Sequence, residues 1–193
     1  MVVEKNKLTI SIVGDSFSSD YGDHSWITML SKNYAIQNFS QRGISQYRLH
    51  DLVCKNLQCL QNSDFVIIFH TNPDRIYVPD HVKFFTRELS SHPFCDMVSS
   101  TVLQDPDFKQ QAQIYYKYFF DQHQQNVLYN LLLENIKQIT NNLKTIHCSG
   151  FETGLVKSFA EVFVQYRGNV NHLNETGNRL MYNYIKEQLD EKL

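Results

Sequence analysis

Apolar and polar positions change period several times along this chain, and each change predicts an element. Residues 8–13 form a short, apolar-rich run of strand length. Over 25–33, Trp26, Ile27, Met29 and Leu30 recur at helical spacing, with Ser25 in the N-cap position. A second strand is predicted over 34–39. Residues 46–61 read as a helix whose apolar stripe is Leu49, Leu52, Val53, Leu57 and Leu60. A third strand over 64–70 holds Phe65-Val66-Ile67-Ile68-Phe69, apolar on both faces, as a central strand of a parallel sheet requires.

The rhythm breaks over 79–121. That stretch is rich in aromatics (Phe84, Phe85, Phe94, Phe108, Tyr115, Tyr116, Tyr118, Phe119, Phe120) and carries Pro93 and Pro106. It reads as an aromatic-rich helical insertion, either packed as core or lying over a site as a lid. Helical spacing returns over about 110–142, continuous or interrupted, on Leu128, Leu131, Leu132, Ile136 and Ile139. A fourth strand is predicted over 143–148 and a short element over 159–164. A last helix over 175–189 starts behind Asn174 as N-cap and carries Leu180, Met181, Tyr184, Ile185 and Leu189. Strands alternating with helices predict an α/β fold with a parallel sheet, one domain over 1–193.

Composition narrows the classes. With 193 residues and 42% hydrophobic residues, the chain can bury one sizeable core. A net charge of −2 and the lack of a dense Lys/Arg run argue against a nucleic-acid partner. The strongest apolar run is too short to span a bilayer. Met1-Val2-Val3-Glu4-Lys5 leads straight into the first strand, so no signal peptide or membrane partner is expected, and the expected location is the cytoplasm. Cys54, Cys59, Cys95 and Cys148 match no zinc spacing and read as free thiols of a reducing compartment. Asp20, Asp23 and His24 likewise fit no metal-ligand pattern and read as a solvated loop. The two Asn-x-Ser/Thr triplets, at Asn38 and Asn174, read as chance matches.

Candidate chemistry gathers at the strand ends. Gly14-Asp15-Ser16-Phe17-Ser18 follows the first strand. Asn38-Phe39-Ser40-Gln41-Arg42-Gly43-Ile44-Ser45 follows the second, and His70-Thr71-Asn72-Pro73-Asp74-Arg75 the third. Asn169-Val170-Asn171-His172 precedes the last helix. In open α/β sheets the carboxyl edge is where ligands bind. A serine hydroxyl becomes a useful nucleophile when an imidazole takes its proton, and Ser16 with His172 supplies such a pair. Each residue alone has a structural reading: Ser16 as a helix cap, His172 as a loop residue, Asn72-Pro73 as a turn. Arg75 either neutralises Asp74 or meets an acidic group of a substrate.

Taken together, the four clusters resemble the sequence blocks of the SGNH (GDSL-like) hydrolases over nearly the whole chain. The resemblance implies a three-layer α/β/α sandwich with a central parallel sheet, flavodoxin-like in arrangement. It implies Ser16 as nucleophile, His172 as base, and an oxyanion hole made by the Ser16 and Gly43 N–H groups and the Asn72 side chain. Asp15 and Arg75 are then expected beside the substrate. The expected partner is a small-molecule or carbohydrate ester, with O-acetyl groups on sugars as the family-level expectation, and no cofactor or metal is called for.

Three positions depart from the family pattern. The acid three residues before the histidine is Asn169, which can orient the ring but supplies no charge. The glycine of the third block is His70, and Pro73 is inserted before Asp74. Besides an ester hydrolase, two further readings follow: a descendant that binds a ligand or partner without turnover, and an acyltransferase using the same serine.

Overall fold

The structure is a computed structural model that describes residues 7–19, 22–78, 96, 109–168 and 172–193. Strands β1 (Thr9–Gly14), β2 (Ala35–Asn38), β3 (Phe65–His70), β4 (Thr145–Ser149) and β5 (Lys157–Ser158) form one parallel sheet. Their order is β2-β1-β3-β4-β5, so β1 lies between β2 and β3. Ile12 of β1 is paired with Asn38 of β2 on one side and Ile67 of β3 on the other.

The helices are α1 (Trp26–Ser31), α2 (Gln46–Lys55), α3 (Leu57–Gln61), α4 (Lys109–Tyr118), α5 (Gln122–Ile139), α6 (Ala160–Gln165) and α7 (Glu175–Asp190). Successive side chains of a strand point to opposite faces, so each central strand feeds two cores. Ile10, Ile12, Phe65, Ile67 and Phe69 bury against Trp26, Ile27 and Leu30 of α1 and Met181, Ile185 and Leu189 of α7. On the other face Val13, Val66 and Ile68 meet Leu49, Leu52 and Val53 of α2, Leu60 of α3 and Ile136 of α5. Each fully buried Ile, Leu or Phe contributes ~1.5–3 kcal/mol. Exposed pairs such as Lys55–Asp51 and Lys186–Asp190 are screened by solvent and add little, so the two cores dominate. The expected three-layer α/β/α sandwich is present.

The caps read from the sequence are in place. Ser25 accepts the Thr28 N–H, and Asn174 Oδ1 accepts the Gly177 N–H at 3.0 Å. The helix predicted over 46–61 is instead two helices broken at Asn56, whose Nδ2 donates to Leu52 O at 2.8 Å. An asparagine that bonds its own backbone competes with the helical ladder. The helix predicted over 110–142 is also two, with Asp121 capping α5 by accepting the Gln124 N–H at 2.7 Å. The short element over 159–164 is α6, one residue further on. β5 was not predicted. Two residues are too few to show an alternation. Most of the 79–121 stretch lies outside the described residues; within it stand Asp96, α4 and the corner leading into α5.

Candidate active site

In this sheet order the loops after β2, β1 and β3 are neighbours at the carboxyl edge, and the chain crosses from one face to the other between β1 and β3. That switch point is the usual ligand crevice of a doubly wound sheet. Ser16 sits there at the start of a short 3₁₀ turn, Ser16–Ser18, directly after β1. Gly14 makes the turn fit: a Cβ at this position would lie 2.1 Å from Ser18 Oγ and 2.7 Å from Phe69 Cβ. Asp15 caps the turn, its Oδ1 accepting the Phe17 N–H at 2.9 Å.

The β2 loop is tied to this turn. Ser18 Oγ donates to Ser40 Oγ at 2.9 Å, Asn38 Nδ2 donates to Ser18 O at 2.9 Å, and the Gln41 N–H donates to Gly14 O at 2.9 Å. Further along, Gly43 adopts φ 72°, a left-handed conformation that side chains disfavour. Its carbonyl accepts the Asp96 N–H at 2.8 Å and Arg75 Nη1 at 3.2 Å, so this peptide is held from two sides. On the β3 loop, Asn72 Oδ1 accepts the Asp74 N–H at 2.8 Å. That bond sets the amide's rotation and leaves Nδ2 as its donor end. Pro73 is accommodated in this turn, where its carbonyl accepts Gln125 Nε2 at 2.9 Å.

His172 arrives from the far end of the chain on a loop closed by the Arg167–Leu173 bridge and by the Asn174 N–H donating to Tyr166 O at 2.8 Å. Its ring packs against that of Phe17, the residue after Ser16, with centroids 5.6 Å apart. Asn169 lies outside the described residues. Two residues outside the sequence clusters, one of them read only as part of a helix's apolar face, join the serine turn to the histidine loop. Trp26 Nε1 donates to Phe17 O at 3.0 Å, and Asn178 Nδ2 donates to Leu173 O at 3.0 Å.

Asp15 and Arg75, expected beside the substrate, are engaged inside the protein. Asp15 is 1% exposed. Burial pushes its carboxyl up to about 6, opposed by the Phe17 N–H and the nearby Arg75 charge. Arg75 Nη1 serves the carbonyls of Gly43 and Asp96. His70 points into the α2/α5 face, away from the serine turn. Gln46 Nε2 lies 2.8 Å from its Nδ1, its Nε2 lies 3.1 Å from His147 Nδ1, and His147 Nε2 lies 3.3 Å from Thr140 Oγ1. Burial holds His70 well below the usual imidazole range and brings His147 down to about 4. Among the described residues no group of three His, Cys, Asp or Glu could hold a metal ion, and Asp20 lies outside them.

No family model matches the chain, and no curated protein matches it. Among solved structures it is similar to the psychrotrophic esterase EstA from Pseudoalteromonas sp., with 11% identity, 95% of this chain and 97% of that one covered, and a TM-score of 0.49. It is also similar to a catalytic mutant of the acetylxylan esterase Axe2 from Geobacillus stearothermophilus (8% identity, 95% and 94% covered, TM-score 0.42). A third is a member of the lipolytic protein G-D-S-L family from Veillonella parvula (18% identity, 93% and 96% covered, TM-score 0.38). The three-layer architecture of this chain rests on its own sheet order and helix packing.

Proposed function

We propose that this chain is a serine ester hydrolase acting on small acyl esters through Ser16 and His172. The observation that carries the reading is the strand order: it sets the Ser16 turn between the Gly43 and Asn72 loops, while the His172 ring lies against Phe17. Ser16 Oγ attacks the ester carbonyl carbon as His172 takes the hydroxyl proton. The oxyanion that forms is met by the N–H groups of Ser16 and Gly43 and by Asn72 Nδ2. Collapse breaks the carbon–oxygen bond to the alcohol, which leaves with the proton from His172. Water then attacks the acyl-serine, with His172 again as base, and releases the acid. In the sequence motif Asn169 takes the place of the family's orienting acid, without its charge. The substrate is a small-molecule or carbohydrate ester, an O-acetyl sugar in the first instance.

The free thiols of Cys54, Cys59 and Cys148 suit a reducing, cytoplasmic setting. Among the described residues no helix is long and apolar enough to cross a membrane.

The test is fluorophosphonate labelling and turnover of p-nitrophenyl acetate by the parent, Ser16→Ala and Asn169→Asp. Labelling and turnover that vanish in Ser16→Ala and rise in Asn169→Asp are expected. The amide at Asn169 favours a second reading, a ligand-binding module on the same fold; absence of labelling in both the parent and Asn169→Asp would replace the first reading by this one.

A further inference from the structure

The two loops that carry the proposed oxyanion donors do not follow neighbouring strands. Gly43 lies beyond β2 and Asn72 beyond β3, and each of these strands pairs with β1 between them. Adjacent strands lie about 4.7–4.9 Å apart, so about 9–10 Å separates β2 from β3. Two donors serve one oxyanion only when both come within about 3 Å of it. The two loops must therefore converge over the end of β1, and the sheet's own ladder does not bring them together.

Arg75 connects them. Its N–H donates to Asn72 O at 3.1 Å, closing the turn in which Asn72 Oδ1 accepts the Asp74 N–H. Its carbonyl accepts Gln125 Nε2 at 3.2 Å, and the same Nε2 donates to Pro73 O at 2.9 Å, so the turn is fastened to α5. From that anchored backbone the side chain crosses to the other loop, where Nη1 donates to Gly43 O at 3.2 Å and to Asp96 O at 3.1 Å. A second tie from the β3 loop, Thr71 Oγ1 donating to Ile44 O at 2.8 Å, holds the next carbonyl along. Of these two ties, only Arg75 meets the carbonyl of Gly43 itself. With φ at 72°, holding the carbonyl side of Gly43 fixes where its N–H points.

We propose that Arg75 is a positioning residue of the oxyanion hole, a strut that sets the separation of the Gly43 N–H from Asn72 Nδ2. The role rests on the Ser16 chemistry proposed above. A guanidinium suits it, because its hydrogen bonds are charge-assisted and its planar fork holds the donors at fixed angles. An arginine that bound an acidic group of the substrate would act mainly on KM. A strut acts on kcat, because the oxyanion exists only in the transition state and the tetrahedral intermediate.

The test is steady-state turnover of p-nitrophenyl acetate by the intact parent, Ser16→Ala, Arg75→Lys and Arg75→Ala. Arg75→Lys keeps the charge but shortens the strut and removes the fork. Its kcat should fall about tenfold with KM near the parent value, and that of Arg75→Ala about a hundredfold. Guanidinium chloride, kept below the concentrations that unfold the variant, should restore part of kcat to Arg75→Ala and give the parent nothing. Sodium chloride at equal ionic strength should restore none. A variant that was merely destabilised would lose activity in guanidinium instead of gaining it. If Arg75→Ala does not fold, Arg75→Lys decides alone. Parent kcat in Arg75→Lys, a rise in KM without a fall in kcat, or a folded Arg75→Ala that guanidinium fails to rescue would each overturn the strut, while turnover lost in Ser16→Ala leaves the hydrolase reading standing. A parent with no Ser16-dependent turnover would overturn the hydrolase reading and the strut with it.

Discussion

Asn178 bonds Trp26 across the interface of α7 with α1, its Oδ1 accepting the Trp26 N–H at 3.1 Å. The same amide donates through Nδ2 to Leu173 O, one residue past His172, and to Asn174 O. Trp26 in turn donates through Nε1 to Phe17 O beside Ser16. One side-chain pair thus spans the distance between the two halves of the proposed catalytic couple. Asn178→Ala removes three hydrogen bonds at once, and a loss of ~1–3 kcal/mol is expected in urea denaturation. If the pair positions His172 against Ser16, kcat for p-nitrophenyl acetate falls while KM stays near the parent value. A rise in KM alone would refute that positioning role.

Asp96 holds the other side of the site. It is 2% exposed, and its carboxylate accepts the Ser45 N–H at 2.6 Å, the Val78 N–H at 2.9 Å and Arg48 Nε at 3.3 Å. Its own N–H and carbonyl engage Gly43 O and Arg75 Nη1. Asp96→Ala strips a buried carboxylate from a cation and two N–H donors, and a cost of about 3–5 kcal/mol is expected by thermal or urea unfolding. Asp96→Asn keeps one acceptor and should cost less. A variant within about 0.5 kcal/mol of the parent would show that Asp96 does not hold this loop.

What the sequence made legible was local. The caps at Ser25 and Asn174, the all-apolar β3 and the polar cluster after each central strand depend on neighbours within a few positions. The break at Asn56 was hidden because the apolar stripe runs on through Leu57 and Leu60 across it. His70 read as a misfit in the third cluster because its partner, His147, is 77 positions away and joins it only when β3 and β4 pair. Asn178 looks like any polar position on a helix surface, since its role depends on a residue 152 positions away. Asp15 and Arg75 were expected beside the substrate from their place in the motif. Which way a strand-end side chain turns depends on packing that motif spacing does not encode.

The His70–His147 pair sets an acid limit. Burial lowers His147 from 6.5 to about 4 and lowers His70 as well. A base whose folded pKa is depressed contributes stability that is fully present above 6.5 and lost as pH falls through its folded value. The parent should therefore lose stability between about pH 6.5 and pH 4. His147→Gln offers an oxygen to His70 Nε2–H and a nitrogen to Thr140 with no proton to gain, and its stability should fall less over that range. Equal slopes for parent and variant in urea midpoints against pH would place the acid limit elsewhere.

Asp15 works in the opposite direction. Its carboxyl is pushed up from 3.8 to about 6 because burial penalises the charge more than the Phe17 N–H and Arg75 favour it. A carboxyl that holds its proton more tightly when folded contributes stability fully present below 3.8 and lost as pH rises through about 6. A shift of this size corresponds to about 3 kcal/mol. Asp15→Asn keeps an oxygen for the Phe17 N–H and has no charge to desolvate. It should match the parent near pH 4 and exceed it by up to about 3 kcal/mol near pH 8, read as urea midpoints at the two pH values. The gain should come with the Ser16 turn intact, so fluorophosphonate labelling of Ser16 should persist in the variant. A stability difference that does not change with pH would mean that Asp15 is not held against ionisation, and lost labelling would mean that its charge acts at the serine.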